Sequence, residues 1–190
     1  QVGLEGFSTR KLGEMLGCEA MSIYHHFPSK AHILDALVDR VVSSAHVPAR
    51  DLDSIERLRG LAHGWREMAL RHPRFFPMLS VHRMNSETGV KYLNEILLAL
   101  RDAGLNRGRA ARLFRVMAYF LMGAALDEIS GYAKGPSSLE PISDEELAQN
   151  FPEIADAGEF FAPPHFDRTF EMGLELFLIG AGLLSKTKQA

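Results

Sequence analysis

Residues 8–37, STRKLGEMLGCEAMSIYHHFPSKAHILDAL, decide how the N-terminal part of this chain folds. Apolar side chains recur at helical spacing across residues 9–16, and a glycine follows them as a natural helix stop. Residues 20–26 form a second periodic stretch, which Phe27-Pro28 ends because proline cannot continue a helix. The pattern therefore predicts two short helices joined by a tight turn at residues 17–19.

Two short helices with apolar residues only on their inner faces form the smallest unit that can place a helix in the DNA major groove. Leu12, Leu16 and Ile23 are expected to pack into one small core. The start of the second helix then stays exposed, and its residues are expected to meet base edges: Ala20, Met21 and Ser22. Small and apolar side chains favour thymine methyl groups, and a serine hydroxyl can bind a base or a phosphate.

Polar residues around this turn are expected to bind the DNA backbone. Thr9 lies at a helix N-terminus, where backbone N–H groups favour an anion. The other expected phosphate contacts are Arg10, Tyr24, His25 and Lys30. The chain carries a formal net charge of −3, and residues 1–45 contain four Lys/Arg against five Asp/Glu. Because DNA-binding proteins usually have a basic excess, binding has to depend on where these few groups lie.

The run GLEGFSTRKLGEMLGCEAMSIYHHFPSKAHILDAL, residues 3–37, resembles the DNA-binding head of the tetracycline-repressor (TetR) family. The shared signature has Thr-Arg at a helix start, Leu-Gly at the turn, then Tyr-x-His-Phe and a lysine that opens the next helix. The resemblance implies a transcriptional regulator, a repressor, that binds double-stranded operator DNA through a helix-turn-helix.

Two features depart from the family pattern. Family members have a further helix before the segment where this sequence begins, so we expect the natural protein to be longer at its N-terminus. Gly13 occupies a position that is more often alanine in the family. Glycine is expected to loosen this helix by about 1 kcal/mol.

The remaining chain also has helical periodicity and no internal repeat, so the fold class is expected to be all-α. We expect a helix-turn-helix domain over residues 1–45 and a larger helical domain for effector binding and dimerisation over residues 46–190. Helices are predicted at 30–45, 53–71, 88–103, 107–132 and 166–184, with a shorter apolar segment that ends near Arg83. Residues 134–144 are expected to form a loop, and residues 145–165 are left without an assignment.

Two segments, FLMGAALDEIS (120–130) and FEMGLELFLIGAGLL (170–184), resemble the helices that form a dimeric four-helix bundle in this family. Small residues that would permit close helix approach are Gly123, Ala124, Ala125, Gly173, Gly180 and Gly182. The resemblance implies a homodimer formed through residues 107–132 and 166–184. A twofold dimer places two heads about one DNA turn apart on a palindromic operator.

The resemblance also implies a pocket for a small-molecule effector. The residues expected to bind the effector are His46, Trp65, His82, Phe114, Met117, Phe120 and Asp127. His82 and Asp127 match positions at which the founding member of the family binds the metal of its drug complex. The rest of that site is not recognisable, so an unrelated apolar or amphipathic ligand is favoured over a metal–tetracycline complex. We assign no metal site and no cofactor, and the aromatic members of this set are more typical of a packed core than of a pocket.

Other functions have weaker support from the residues. An enzyme is disfavoured because the sequence has no Gly-x-Ser-x-Gly elbow, no His-Glu-x-x-His and no glycine-rich phosphate loop. A ligand-independent DNA-binding or protein-interaction module remains an alternative. Cys18 is expected to be a partly buried, unreactive thiol, because no basic cluster flanks it. The phenylalanines at 160, 161 and 166 are expected to form either a strap over a partner subunit or an ordinary packed loop.

The composition, 46% hydrophobic and 24% charged, is typical of a globular protein. No uninterrupted apolar run reaches the ~18 residues that a membrane-spanning helix needs. The single cysteine cannot form an intramolecular disulfide, and the first residues do not resemble a signal peptide. We therefore expect a cytoplasmic protein with no membrane partner.

Overall fold

The computed structural model describes residues 8–82, 84–130 and 138–185. Every regular element in these ranges is helical, which confirms the predicted all-α fold class. The α-helices are α1 (Thr9–Leu16), α2 (Ala20–His26), α3 (Lys30–Val42), α4 (Ser54–Arg71), α5 (Glu87–Asp102), α6 (Arg107–Ser130), α7 (Asp144–Asn150), α8 (Pro152–Ala157) and α9 (Phe166–Gly180). Short 3₁₀ helices lie at Phe76–Ser80, Gly158–Phe161 and Pro163–His165. No helix within the described ranges is long and apolar enough to cross a membrane.

The helix boundaries agree with the sequence where capping signals are strong. The two head helices begin and end at the predicted residues, whereas α3 ends at Val42 rather than near residue 45, and α9 ends at Gly180 rather than 184. The unassigned stretch 145–165 contains most of α7, then α8 and two 3₁₀ helices. Predictions that fall on 1–7, 83, 131–132 and 134–137 lie outside the described residues.

The chain divides into two compact units, residues 1–114 and 115–190. The first unit contains α1 to α5 and the first turns of α6, and the second contains the rest of α6 with α7, α8 and α9. The boundary between residues 45 and 46 that the sequence suggests differs from the boundary between these two units. The boundary between residues 45 and 46 stays a prediction.

Side-chain caps and a left-handed glycine fix the head helices. Ser8 Oγ accepts a hydrogen bond from the Lys11 N–H (3.2 Å), and Ser29 Oγ accepts one from the His32 N–H (3.5 Å). Helix α1 ends at Gly17, whose φ of 68° is the left-handed conformation that favours glycine. These local interactions explain why the sequence alone located both ends of α1 and the start of α3.

Helices α1 and α2 pack closely because the face of α1 that is buried centres on Gly13. A Cβ atom at Gly13 would lie 2.6 Å from the carbonyl oxygen of Cys18, so this glycine allows close approach rather than merely loosening α1. Ile23 is buried as expected, but Leu16 is 65% exposed, so its predicted place in the small core is wrong. Leu16 is the last residue of α1 and lies away from the Gly13 contact. Cys18 is exposed rather than partly buried, although its backbone carbonyl forms part of this contact.

The core of the first unit lies where α4 packs on α5. Both helices present buried apolar residues at spacings of three and four: Leu58, Leu61, Trp65 and Met68 on α4, and Tyr92, Ile96, Ala99 and Leu100 on α5. The Tyr92 hydroxyl donates a hydrogen bond to the carbonyl oxygen of Leu61 at 2.6 Å. This bond satisfies the polar end of a buried side chain and fixes its ring between the two helices.

In the second unit, one glycine has a role that differs from the expected one. The Phe120 ring of α6 stacks on Phe170 of α9 at 5.5 Å between ring centroids. A Cβ atom at Gly173 would lie 2.4 Å from Cε2 of Phe120, so Gly173 makes room for this ring inside one chain. Gly182, with a φ of 72°, lies in the turn after α9. Both glycines therefore have a structural role inside the chain.

Candidate DNA-binding surface and effector sites

The start of α2 is exposed in the way that contact with base edges requires. Met21 is 77% exposed and Ser22 is also exposed, whereas Ala20 is half-buried. Ile23, the next residue, points into the head and anchors the helix. The structure therefore presents one long apolar side chain and one hydroxyl on the first turn of α2.

Two expected phosphate contacts come together across the turn between α1 and α2. Thr9 Oγ1 lies 3.1 Å from the Tyr24 hydroxyl, to which it donates a hydrogen bond. Thr9 is the first residue of α1, so both hydroxyls lie at a helix N-terminus, where backbone N–H groups favour a phosphate. This cross-helix bond fixes the position of the phenol ring relative to α1.

The other three expected phosphate contacts lie on three different helices. The Arg10 side chain extends along α1, and its Nε lies 3.1 Å from Glu14 Oε1. Both groups are exposed, and such a pair within one helix is worth only about 0.3–0.5 kcal/mol, so a phosphate can displace the carboxylate. Exposed His25 lies in the last turn of α2, with its ring at 86° to that of His26, and Lys30 is the exposed first residue of α3.

Polar contacts join α3 and the residues just after it to more distant parts of the first unit. His82 Nε2 lies 2.7 Å from Asp35 Oδ1 on α3, across 47 positions of sequence. Near the end of α3, Ser44 Oγ lies 3.3 Å from His72 Nε2. The first contact places His82, an expected effector residue, directly against the helix that follows the head.

The other expected effector residues of the first unit are dispersed. Trp65 is 6% exposed and packs edge-on against Phe76 at 5.5 Å, and its Nε1 finds no hydrogen-bond acceptor among the described residues. His46 is exposed, and its backbone lies against α4 at Gly64. Phe114 is half-buried. The orphaned indole N–H is the most informative of these features, because buried polar groups normally have a partner.

The second unit brings two expected effector residues together. Phe120 and Asp127 line one small cavity of about 70 Å³, together with Ala124, Glu128, Phe166, Thr169 and Phe170. Met117 is fully buried and does not line it. Asp127 is exposed at the mouth of this cavity. Within the described residues, no group of three or more His, Cys, Asp or Glu side chains is arranged to hold a metal ion.

One cleft contains none of the residues that were expected to bind the effector. It has a volume of about 410 Å³ and lies in the first unit between the end of α3, the linker that follows it (residues 43–53) and α5. Its lining residues are Val42, Ser43, Ala45, Val47, Arg50, Thr88, Lys91, Tyr92, Asn94 and Glu95. The cleft could not be predicted from the sequence, because the polar face of α5 has the residues of an ordinary solvent-exposed surface. The cleft forms only where the folded chain places the linker beside that face.

An ionic cluster around one buried arginine lies next to this cleft. Arg57 of α4 is almost fully buried, and its guanidinium is 2.6 Å from Asp102 Oδ2 and 3.6 Å from Glu95 Oε2. Glu95 also accepts hydrogen bonds from Arg50 of the linker, which raises the pKa of Arg50 above its ordinary value. The cluster joins the linker to both α4 and α5. Nothing in the residue pattern marks Arg57 as buried, because arginine is normally a surface residue.

Comparison with known proteins decides the family. Residues 1–37 match the sequence model described as bacterial regulatory proteins, tetR family, and residues 47–185 match the one described as Tetracyclin repressor-like, C-terminal domain. The chain belongs to the TetR family. The tetracycline repressor protein class A from transposon 1721 of Escherichia coli is 28% identical over 183 residues, which cover 95% of this chain and 83% of that protein.

Two further TetR-family comparisons agree. The HTH-type transcriptional repressor DrrR1 of Streptomyces coeruleorubidus is 26% identical over 195 residues, with 96% of this chain and 72% of that protein covered. A crystal structure of a possible TetR family transcriptional regulator from Streptomyces coelicolor A3(2) superposes with a TM-score of 0.76 at 26% identity. That superposition covers 94% of this chain and 90% of the other. TetR-family architecture therefore extends through both the head and the helical body.

Proposed function

We propose that this protein is a homodimeric repressor that binds a palindromic operator and is released from it by a small-molecule effector. The observation that carries the proposal is the exposed first turn of α2, with Met21 and Ser22 accessible, beside the Thr9–Tyr24 hydrogen bond. Relatives that align over nearly the whole chain are named as repressors, which supports repression rather than activation.

The proposed dimer uses an exposed apolar surface of the second unit. Val116 and Tyr119 of α6 and Met172 and Leu176 of α9 are all exposed although they are large and apolar. A Cβ atom at Gly123 or at Gly180 would meet no atom within 4 Å, so each glycine leaves room for a close helix. Since such residues are normally covered, the proposal assigns this surface to a second copy of the chain.

The proposed effector site surrounds the indole of Trp65. An effector with an oxygen acceptor would satisfy the orphaned Nε1 and pack its apolar part against the neighbouring Phe76 ring. The contact of His82 with Asp35 provides the route to the head, because an effector that takes His82 away from Asp35 frees α3. The effector then favours an arrangement of the heads that fits the operator poorly.

The proposal is tested with DNA from upstream of the protein's own gene. We expect sequence-specific binding whose affinity falls steeply as salt rises, because phosphate contacts release counterions. A thermal-shift screen of metabolites and drugs then identifies effectors, which must also release the operator. Binding that is equal for operator and unrelated DNA would contradict the repressor, and stabilising ligands that never release the operator would contradict effector control and favour the ligand-independent module.

A further inference from the structure

We propose that the cleft between the end of α3, the linker and α5 is a second small-molecule site, distinct from the site around Trp65, and that it binds amphipathic carboxylates. Its volume of about 410 Å³ lies in the range of small-molecule sites, roughly 300–1,000 Å³. It contains none of the residues expected to bind the effector. Only the regulatory consequence described below rests on the proposed function.

The cleft has one apolar side and one polar side. Val42, Ala45, Val47 and Tyr92 provide the apolar part, and Val42, Ala45 and Tyr92 are buried. Tyr92 cannot rotate out of the wall, because its hydroxyl is bonded to the Leu61 carbonyl. A preformed apolar wall of this kind fits the ring or chain of a ligand without the entropic cost of ordering it.

Two cations lie on the polar side. Lys91 Nζ is 2.7 Å from Glu87 Oε1, and both side chains are exposed members of a pair one turn apart. Such a pair contributes little, so a ligand carboxylate can take the place of Glu87. Arg50 is held by Glu95, which occupies its Nε and Nη2 groups and leaves other N–H donors of the guanidinium to face a ligand.

The charges that line the cleft favour an anion. Lys91 and Arg50 oppose a single carboxylate, Glu95, and Glu95 is also shared with buried Arg57. The half-exposed Asp102 balances Arg57 from outside the cleft. A ligand with a carboxylate at one end and an apolar ring at the other therefore matches both sides of the cleft.

Occupancy of this site acts on the DNA-binding head. The last turn of α3 and the linker form one wall, and α5 forms the other. A ligand bridging the walls fixes the end of α3 against α5. We therefore expect a bound carboxylate to change operator affinity by severalfold, through the same helix that His82 contacts.

Binding is measured on the DNA-free protein, so its outcome does not depend on operator recognition. The probes are cyclohexanecarboxylate and the neutral cyclohexanecarboxamide, which do not absorb where indole is excited. Trp65 is the single tryptophan, and its ring is 5.9 Å from that of Tyr92 in the cleft wall, so its fluorescence reports occupancy. We expect saturable binding of the carboxylate in the millimolar range and binding of the amide that is about tenfold weaker.

Charge variants locate the site. Lys91→Met is expected to weaken carboxylate binding about tenfold, whereas Glu87→Gln, which frees Lys91, is expected to strengthen it two- to threefold. Lys11→Met removes the same charge from exposed α1 and is the matched control, with no expected effect. Equal binding of both probes, no saturable signal, or equal effects of the two lysine variants would overturn the site.

The regulatory consequence is tested separately, with operator bound and the carboxylate added to wild type and to Lys91→Met. A severalfold change in operator affinity for wild type alone supports it. An unchanged affinity at saturating carboxylate would overturn the regulatory role while the binding result stands. A protein that binds no operator at all contradicts the proposed function instead, and the two failures are thereby distinguished.

Discussion

Gly64→Ala tests how tightly the linker that follows the head is held against α4. Gly60 and Gly64 lie one turn apart on α4, and residues 46–48 cross the helix at this place. A Cβ atom at Gly64 would lie 2.4 Å from the His46 carbonyl oxygen and 3.0 Å from its nitrogen. Both neighbours are backbone atoms, so the linker itself has to move by roughly 1 Å to restore an ordinary contact.

Two opposing effects determine how far Gly64→Ala changes the free energy of unfolding. Overpacking of this kind costs about 1–3 kcal/mol, and the change from glycine to alanine in a helix returns about 1 kcal/mol. We therefore expect Gly64→Ala to lower the free energy of unfolding by about 1 kcal/mol, and up to about 2 kcal/mol where the linker resists the shift. Because the linker follows α3, operator affinity is expected to fall as well.

Urea unfolding followed by circular dichroism measures the change in stability, and fluorescence anisotropy with labelled operator measures the change in affinity. The matched control is Gly108→Ala near the start of α6, where a Cβ atom meets its nearest neighbour at 3.7 Å. We expect this control to leave stability unchanged or raised. If Gly64→Ala stabilises the protein to the same degree as Gly108→Ala, the close contact between the linker and α4 is refuted.

Three further predictions follow from single contacts. Tyr92→Phe is expected to cost about 1 kcal/mol in urea unfolding. Burial raises the pKa of Tyr92, so above about pH 10 its hydroxyl ionises in the unfolded chain before it ionises in the folded protein. The free energy of unfolding of the wild type should therefore fall more steeply with rising pH than that of Tyr92→Phe. Parallel pH profiles of the two proteins would contradict this. Tyr24→Ala is expected to weaken binding to all DNA sequences about tenfold, and Met21→Ala to change base preference in a selection from random operators; the same preference change in both would refute the assignment. Leu176→Arg is expected to weaken dimerisation about a hundredfold or more in sedimentation, with exposed Leu139→Arg as a neutral control, and a dimer unaffected by Leu176→Arg would remove α9 from the interface.

The sequence predicted the head well because its signals are local. Ser8 and Ser29 each cap a helix within three residues of their own position, and Gly17 ends α1 through its own backbone conformation. The end of α3 was placed too late because the apolar pattern continues through Ala45, which is buried although it lies beyond the helix.

Contacts between distant segments could not be predicted in this way. The bond between His82 and Asp35 joins residues 47 positions apart, and the Arg57–Asp102 pair joins residues 45 positions apart. A glycine inside a helix, such as Gly173, is typical of a close contact between helices of two subunits. Only the position of the Phe120 ring shows that the space beside Gly173 is filled within the chain. The 410 Å³ cleft is likewise a product of where the linker lies.

Hydroxyl-radical footprinting shows whether two copies of the helix-turn-helix bind a palindromic operator. The protein is bound to the DNA upstream of its own gene. We expect two symmetric protected half-sites whose centres lie about one helical turn apart, roughly 10 base pairs. A single protected half-site, or protection spread evenly along the DNA, would contradict it.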